Sequence, residues 1–309
     1  MTEDRHGSIV KGMAWMLVST LLFVGVTGTV RALGSDMSAP QAAIIRYGFG
    51  ILLLSPILLR IKPRELITPR MGLHAFRGVV HGIAVIFWFY AMARIPIADV
   101  TALGYTMPIF VTIGAALFLG ERFRTRRMIA VLIGVAGTLV IVRPGFVTIE
   151  LGTLAQLIAA PLFATSALIS KKMTEKDSSE VIVALMTVFV ALTVLPFAIA
   201  VWRPPTWEEL AWLFCTASFA TLGHYTLMRA FAATEITVTE PITFMQLVWA
   251  VLLGYYAFAE TPDIWTIVGS VIIVGSATYI AHREAILSRS SAAVDPLATA
   301  KNRLSLIHI

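Results

Sequence analysis

The sequence predicts an all-α integral membrane protein of ten transmembrane helices, arranged as two inverted repeats of five. Three observations carry that prediction. The chain holds ten long apolar spans, its second half repeats the first at an offset of about 139 residues, and Lys and Arg crowd onto alternate connections. The bulk composition agrees. The 309 residues are 58% hydrophobic and 14% charged, with a mean hydropathy of +0.83, whereas soluble domains carry about 25% charge.

The spans run 12–33, 40–60, 72–93, 97–119, 127–142, 150–170, 180–202, 208–232, 237–259 and 264–282. A helix crosses a bilayer with roughly 20 apolar residues. Lipid offers the backbone no hydrogen bonds, so continuous runs of this length read as helices. Most connections are short, which predicts antiparallel neighbours. The repeat is clearest in Ile97–Glu121 and Ile236–Glu260, each an apolar stretch with one early carboxylate (Asp99, Glu240) and a terminal glutamate. The same offset places Ala91 and Ala93 over Ala230 and Ala232.

With the N-terminus inside, seventeen of the 24 Lys and Arg fall on inner segments and four on outer ones (Arg31, Arg94, Arg143, Arg203). Inner loops of membrane proteins carry this excess, so both termini are expected in the cytoplasm. Trp202 and Trp207 suit an outer aromatic belt. Five helices per half is an odd number, which turns the second half upside down relative to the first. Inverted repeats build many secondary transporters, with substrate held near the midplane between the halves. The expected organisation is a cytoplasmic N-terminus (1–11), two five-helix repeats (12–145 and 150–283) and a disordered cytoplasmic tail (284–309).

Several function classes lack their chemistry. The formal charge of +6 is a topology signal, which argues against nucleic acid. One cysteine, Cys215, makes no internal disulfide or CxxC metal site. Gly7 and Gly12 have P-loop spacing, but Met13 stands where lysine is required. HExxH and GxSxG are missing. No ATP site, cofactor, metal or enzymatic activity is expected.

Ionisable groups inside spans are costly and tend to face a cavity or a partner. Arg229 and Glu240 lie about one turn inside spans eight and nine, symmetric about their connection; they read as a salt bridge locking a hairpin or as a coupling carboxylate with its arginine. Arg94 and Asp99 repeat that geometry at the other face and read as a structural pair. Arg77, His81 and Trp88 share one broad face of span three. His224 lies mid-span in helix eight, one turn from the position equivalent to His81. Two histidines near the midplane suit a central polar site, and histidine titrates where proton coupling needs it; each also reads as a ring bonded to a neighbouring carbonyl or serine. Thr221, Tyr225 and Arg229 form an i+4 stripe, and Tyr105 and Phe244 coincide under the offset. These aromatics read as pocket wall or as packing. Arg46 and Arg77 have the length to snorkel toward opposite interfaces. Gly78 and Gly82, Gly134 and Gly137, and Gly269 and Gly275 read as close helix packing. Pro108, Pro161 and Pro241 free carbonyls and read as hinges, and Glu121 and Glu260 as loop anchors.

Over residues 10–283 the chain resembles the EamA-type carriers of the drug/metabolite transporter superfamily. The resemblance rests on Arg46 in AAIIRYGFG, Phe76-Arg77-Gly78, WFYAMARIPIADVTAL (88–103), Pro108, Gly120-Glu121-Arg122, Arg143-Pro144-Gly145 and Glu260. Leu247 stands near where many relatives carry proline, and Glu240-Pro241 departs from the usual neutral residue. The resemblance implies two inverted repeats around a central cavity and metabolite movement without ATP; relatives move amino acids, cofactors, S-adenosylmethionine, riboflavin or metallophores. The expectation is a carrier in the plasma (inner) membrane that exports an amino acid or related metabolite by alternating access. Its substrate contacts would be His81, Tyr105, His224, Tyr225, Trp88 and Arg77. Protons are the candidate coupling ion, through Glu240 with Arg229 or through a histidine. Uptake of a cofactor such as S-adenosylmethionine or riboflavin is the second reading and a channel the third.

Overall fold

Helices make up nearly all of the computed structural model, which describes residues 2–58, 68–107, 109–110, 125–143, 148–173, 176–233, 242, 245–276 and 278–279. The helices are α1 (Thr2–Leu33), α2 (Ala39–Leu58), α3 (Met71–Met92), α4 (Ile97–Gly104), α5 (Thr125–Val142), α6 (Leu151–Met173), α7 (Ser179–Ala200), α8 (Trp207–Ala233), α9 (Met245–Phe258) and α10 (Ile264–Ser276). Among the described residues no strand occurs. Stretches of α1, α3, α6 and α7 are long and apolar enough to cross a membrane: Val10–Leu33, Met71–Met92, Leu151–Ser170 and Val181–Ala200. Glu121, Pro108, Pro241, Glu240, Phe244 and the tail lie outside the described residues.

Helix ends fall where local chemistry puts them. Ser178 caps α7 by accepting from Val181 N at 3.4 Å. A capping box opens α8: Thr206 Oγ1 accepts from Glu209 N (3.2 Å), and Glu209 Oε2 accepts from Thr206 N (2.8 Å). The first helix begins ten residues before its expected span. The fourth departs most. Its helix ends at Gly104, Tyr105 and Thr106 form a turn, and helix resumes at Met107. In the sequence a proline, Pro108, stands four residues after Gly104, and a proline has no N–H to give a carbonyl four residues back, which interrupts helices at this spacing. Around Pro161, by contrast, α6 stays helical.

The packing has an internal order. The most extensive contacts are α1 with α8 and α3 with α6; α2 packs on α7 and α4 on α9. Helix α3 also meets α7 as α2 meets α8, and α1 meets α9 as α4 meets α6. Each pair maps onto itself or another when every helix is exchanged with the one five places along. Small residues permit the closeness. A Cβ on Gly25 would meet the Phe219 ring at 3.1 Å, and one on Gly223 the Phe23 ring at 3.3 Å, so α1 and α8 each seat a phenylalanine in the other's notch. Backbones touch between α5 and α10: a Cβ on Gly137 would lie 3.0 Å from the Gly269 carbonyl, and one on Gly269 2.6 Å from that of Gly137. Gly78 and Gly82 likewise admit Phe189 and Thr193 of α7. The expectation for Gly275 is corrected: nothing lies within 4 Å of its Cβ position.

One end of the bundle is tied by polar side chains. Glu260, just past α9, accepts from Arg31 Nε (2.8 Å) and Nη2 (2.7 Å) on α1. Its other oxygen takes Ile97 N at 2.9 Å, the first amide of α4. The preceding residue, Pro96, supplies no side-chain cap, so this distant carboxylate serves instead, at the helix end that favours negative charge. Arg31 also reaches the Met92 carbonyl at 3.4 Å. At the same end Gln41 brackets Arg203 with two hydrogen bonds (2.5 and 3.2 Å), Arg203 pairs with Glu209, and Arg143 with Asp263. The expected Arg94–Asp99 pair does not form. Arg94 folds back over the Tyr90 ring, 3.7 Å from its centroid, while Asp99, carried past Pro96 onto α4, accepts from Thr266 of α10 at 2.7 Å.

Three measurements check this account. Glu260→Gln in detergent-purified protein should lower the unfolding free energy by about 2 kcal/mol, the worth of hydrogen bonds to a charged group, and a cycle with Arg31→Gln should show strong coupling. Gly269→Leu should lower Tm through an overpacking cost of about 1–3 kcal/mol; an unchanged Tm would mean that the helices separate freely there. Ala259 sits at φ 54, in the left-handed region that costs a side chain roughly 1–2 kcal/mol. The equivalent position in the first half is Gly120. Ala259→Gly should therefore raise Tm.

Candidate functional site

Midway along the bundle, four nitrogen-rich side chains from three helices converge. His81 stands on α3, ten residues from its start, with Arg77 one turn before it; Arg46 comes from α2 and His224 from α8. His81 lies within electrostatic reach of Arg77, His224 and Arg46, and His224 within reach of both arginines. Helices α1, α6 and α7 complete the surroundings through Phe23, Phe163, Ser166 and Met186. Among the described residues, the charges acting on the two histidines are all cationic.

Each histidine ring meets a phenylalanine in the same way. The His81 ring sits edge-on to Phe163 of α6, centroids 5.1 Å apart, and its Nδ1 is 3.1 Å from Ser166 Oγ. The His224 ring sits edge-on to Phe23 of α1, also at 5.1 Å. Exchanging each helix with the one five places along turns the first contact into the second. The Ser166 bond is the neighbour expected of a membrane histidine, and it leaves Nε2 as the ring's second polar atom.

Arg77 is the anomaly. Its residue is 8% exposed, yet among the described residues Nη1 finds only the Ile182 carbonyl at 3.4 Å and Nη2 only the Met186 sulfur at 3.2 Å. Its Nε has no hydrogen-bond partner. A guanidinium stays charged and carries five donors, so this one is underserved. Arg46 lies over the ring of its neighbour Tyr47, 4.2 Å from the centroid. Neither arginine behaves as the snorkelling reading expects, because both reach the histidines rather than opposite interfaces.

The other sequence-predicted residues lie elsewhere. Trp88 is partly buried against the core, edge-on to Phe89. Tyr105 occupies the turn that interrupts α4, beside the Leu247 backbone of α9. Tyr225 is 53% exposed, on the face of α8 that also exposes Phe214 and Leu222, and is not drawn into the cluster. One residue of helix rotation separates it from His224 and turns it away. It neighbours Arg229, whose guanidinium lies 6.0 Å from the Tyr225 centroid and 5.7 Å from that of Trp15. Glu240, the proposed partner of Arg229, is outside the described residues. Arg46 joins the cluster although it was not named among the substrate contacts; its signal was an arginine placed well inside an apolar span. Among the described residues no group of His, Cys, Asp and Glu has the arrangement to hold a metal.

Comparison with known proteins fits this architecture. The chain is 28% identical to an S-adenosylmethionine uptake transporter of Rickettsia bellii over 88% of this chain and 94% of that one. It is 29% identical to a riboflavin transporter of Vibrio cholerae (91% and 96%) and 26% identical to the pseudopaline exporter CntI of Pseudomonas aeruginosa (85% and 93%). A solved structure titled only as a crystal structure of a protein shares the fold with a TM-score of 0.59 at 19% identity, spanning 90% of this chain and 99% of that one. The model of the EamA-like transporter family matches twice, over residues 10–143 and 150–281. Matched in both halves, the chain belongs to the EamA-like transporter family.

Proposed function

We propose that this multi-pass membrane protein is a secondary carrier that moves a small metabolite across the plasma membrane by alternating access between two inverted five-helix repeats. The observation that carries the reading is the placement of His81, His224, Arg46 and Arg77. They come from both matched halves and meet near the middle of the bundle, where inverted-repeat carriers bind substrate. The exchange symmetry of the packing supports the inverted arrangement. Chain direction supports it too: the end of α1 and the start of α6 lie at the same end of the bundle, since Arg31 of α1 reaches the Met92 carbonyl at 3.4 Å and a Cβ on Gly152 would meet Ile95, three residues past Met92, at 2.8 Å. In this conformation the Glu260 end is closed by its ion pairs, and opening it breaks them while substrate is exchanged.

The cargo is an amino acid or a metabolite built on one, exported from the cell. A second reading, uptake of S-adenosylmethionine or riboflavin, is favoured by the relatives that carry those names. Direction in a carrier follows the gradients, so the same site serves either reading. Both termini are placed in the cytoplasm by the distribution of Lys and Arg. No ATP is consumed. Coupling to protons uses Glu240 or a histidine. Tyr105 and Trp88 contribute wall rather than polar contacts, and Tyr225 with Arg229 belongs to the periphery.

The test is counterflow. In proteoliposomes holding purified protein, internal unlabelled S-adenosylmethionine or amino acid should drive saturable accumulation of its labelled form. Conductance without counterflow would replace the carrier with a channel. An imposed pH gradient should change the initial rate, and Glu240→Gln should remove that response; flux indifferent to both would eliminate proton coupling.

A further inference from the structure

The central cluster carries an excess of positive charge that no described carboxylate offsets. Among the described residues no carboxylate acts on His81 or His224, and both arginines add positive potential to the same space. Arg77 is the sharpest case, being more than nine-tenths buried with its Nε unpartnered and its other contacts limited to one marginal carbonyl bond and one thioether. Breaking or omitting one partner of a buried ion pair is strongly destabilising. A cation kept in that state at the middle of a membrane bundle is a functional position by default.

The chemistry of the missing partner can be read from what is there. The unpartnered edge of Arg77 contains the buried Nε, and the Nε–Nη edge of a guanidinium matches the two oxygens of a planar carboxylate. Arg46 supplies a second cation whose ring contact with Tyr47 leaves its N–H groups for another acceptor. The free nitrogens of the two imidazoles are further donors or acceptors. Phe163 and Phe23, set edge-on to those imidazoles, give the rest of a ligand an apolar wall.

We propose that Arg77, assisted by Arg46, His81 and His224, binds the carboxylate of the transported metabolite. The substrate itself then completes the ion pair that Arg77 lacks among the described residues. This deepens the carrier reading and rests on it. Of the cargoes named for relatives, S-adenosylmethionine bears a carboxylate and riboflavin bears none, so the site separates them. Riboflavin is expected to bind poorly here.

The experiment is thermal unfolding of the detergent-purified full chain against matched probes at millimolar concentration. The probes are S-adenosylmethionine, methionine, tryptophan and phenylacetate, the amides of the last three, riboflavin, and inorganic phosphate. A ligand that binds only the folded state raises Tm. At least one carboxylate should raise it, and no amide should match its parent acid. Arg77→Gln should weaken that carboxylate at least about 30-fold, the scale for truncating one side of a buried charge pair. Without ligand, the same variant should be as stable as the parent or more so, because an unpaired buried charge has gone; this shows that it folds. Arg46→Gln is the second variant, with a smaller loss expected. Amides or riboflavin stabilising as well as acids, phosphate stabilising alone, or no carboxylate shifting Tm would each overturn the proposal. Counterflow keeps the two readings apart. Saturable exchange unaffected by Arg77→Gln retains the carrier and removes the carboxylate site, whereas a carboxylate shift without exchange does the reverse.

Discussion

The architecture depends on the four-way junction at Glu260. A single carboxylate joins α1 through Arg31, caps α4 through Ile97 N, and hangs from the end of α9. Arg31 extends the junction to α3 through the Met92 carbonyl. In lipid the apolar faces of helices gain little by meeting one another, so orientation falls to packing of small residues and to a few polar contacts. Glu260 supplies orientation at the end, and the glycine-lined crossings supply it along the length. Gly254 serves both, since a Cβ there would crowd the Glu260 carboxylate at 3.2 Å.

Much of this was legible before any coordinates. Continuous apolar runs admit little besides helix, so α3, α6, α7 and α8 lie within a few residues of their expected bounds. The terminal glutamates of the two repeats pointed to an anchor, and Glu260 is one. Gly78, Gly82, Gly137 and Gly269 were read as close packing from their places within apolar spans and do pack closely, whereas Gly275, read the same way, does not.

What escaped the sequence was angular. Spacing says that Tyr225 follows His224 but not which of the two faces inward, because α8 has neighbours on only part of its circumference. Arg94 and Asp99 are five apart and opposite in charge; Pro96 between them redirects the chain, so each finds another partner. Arg46 was left able to snorkel toward the interface by its depth along α2, since a long side chain reaches several ångströms either way, and depth along the axis does not fix where its charge lands. The interruption at Tyr105 could have been inferred from Pro108, four residues after Gly104, but a proline in a membrane helix is as often absorbed, as Pro161 is in α6.

The shortness of α4 has a mechanical consequence. Eight residues extend about 12 Å, less than half the thickness of a hydrocarbon core of roughly 30 Å. The rod is pinned at Ile97 by a carboxylate from α9 and ends in a turn at Tyr105. A rigid segment pinned at one end and jointed at the other is a lever. In the proposed transport cycle, a loosening of the Glu260 junction would be carried along α4 as a tilt and delivered at the depth of Tyr105, far from the surface where it began. A continuous span of the same sequence would have to bend along its whole length to do as much.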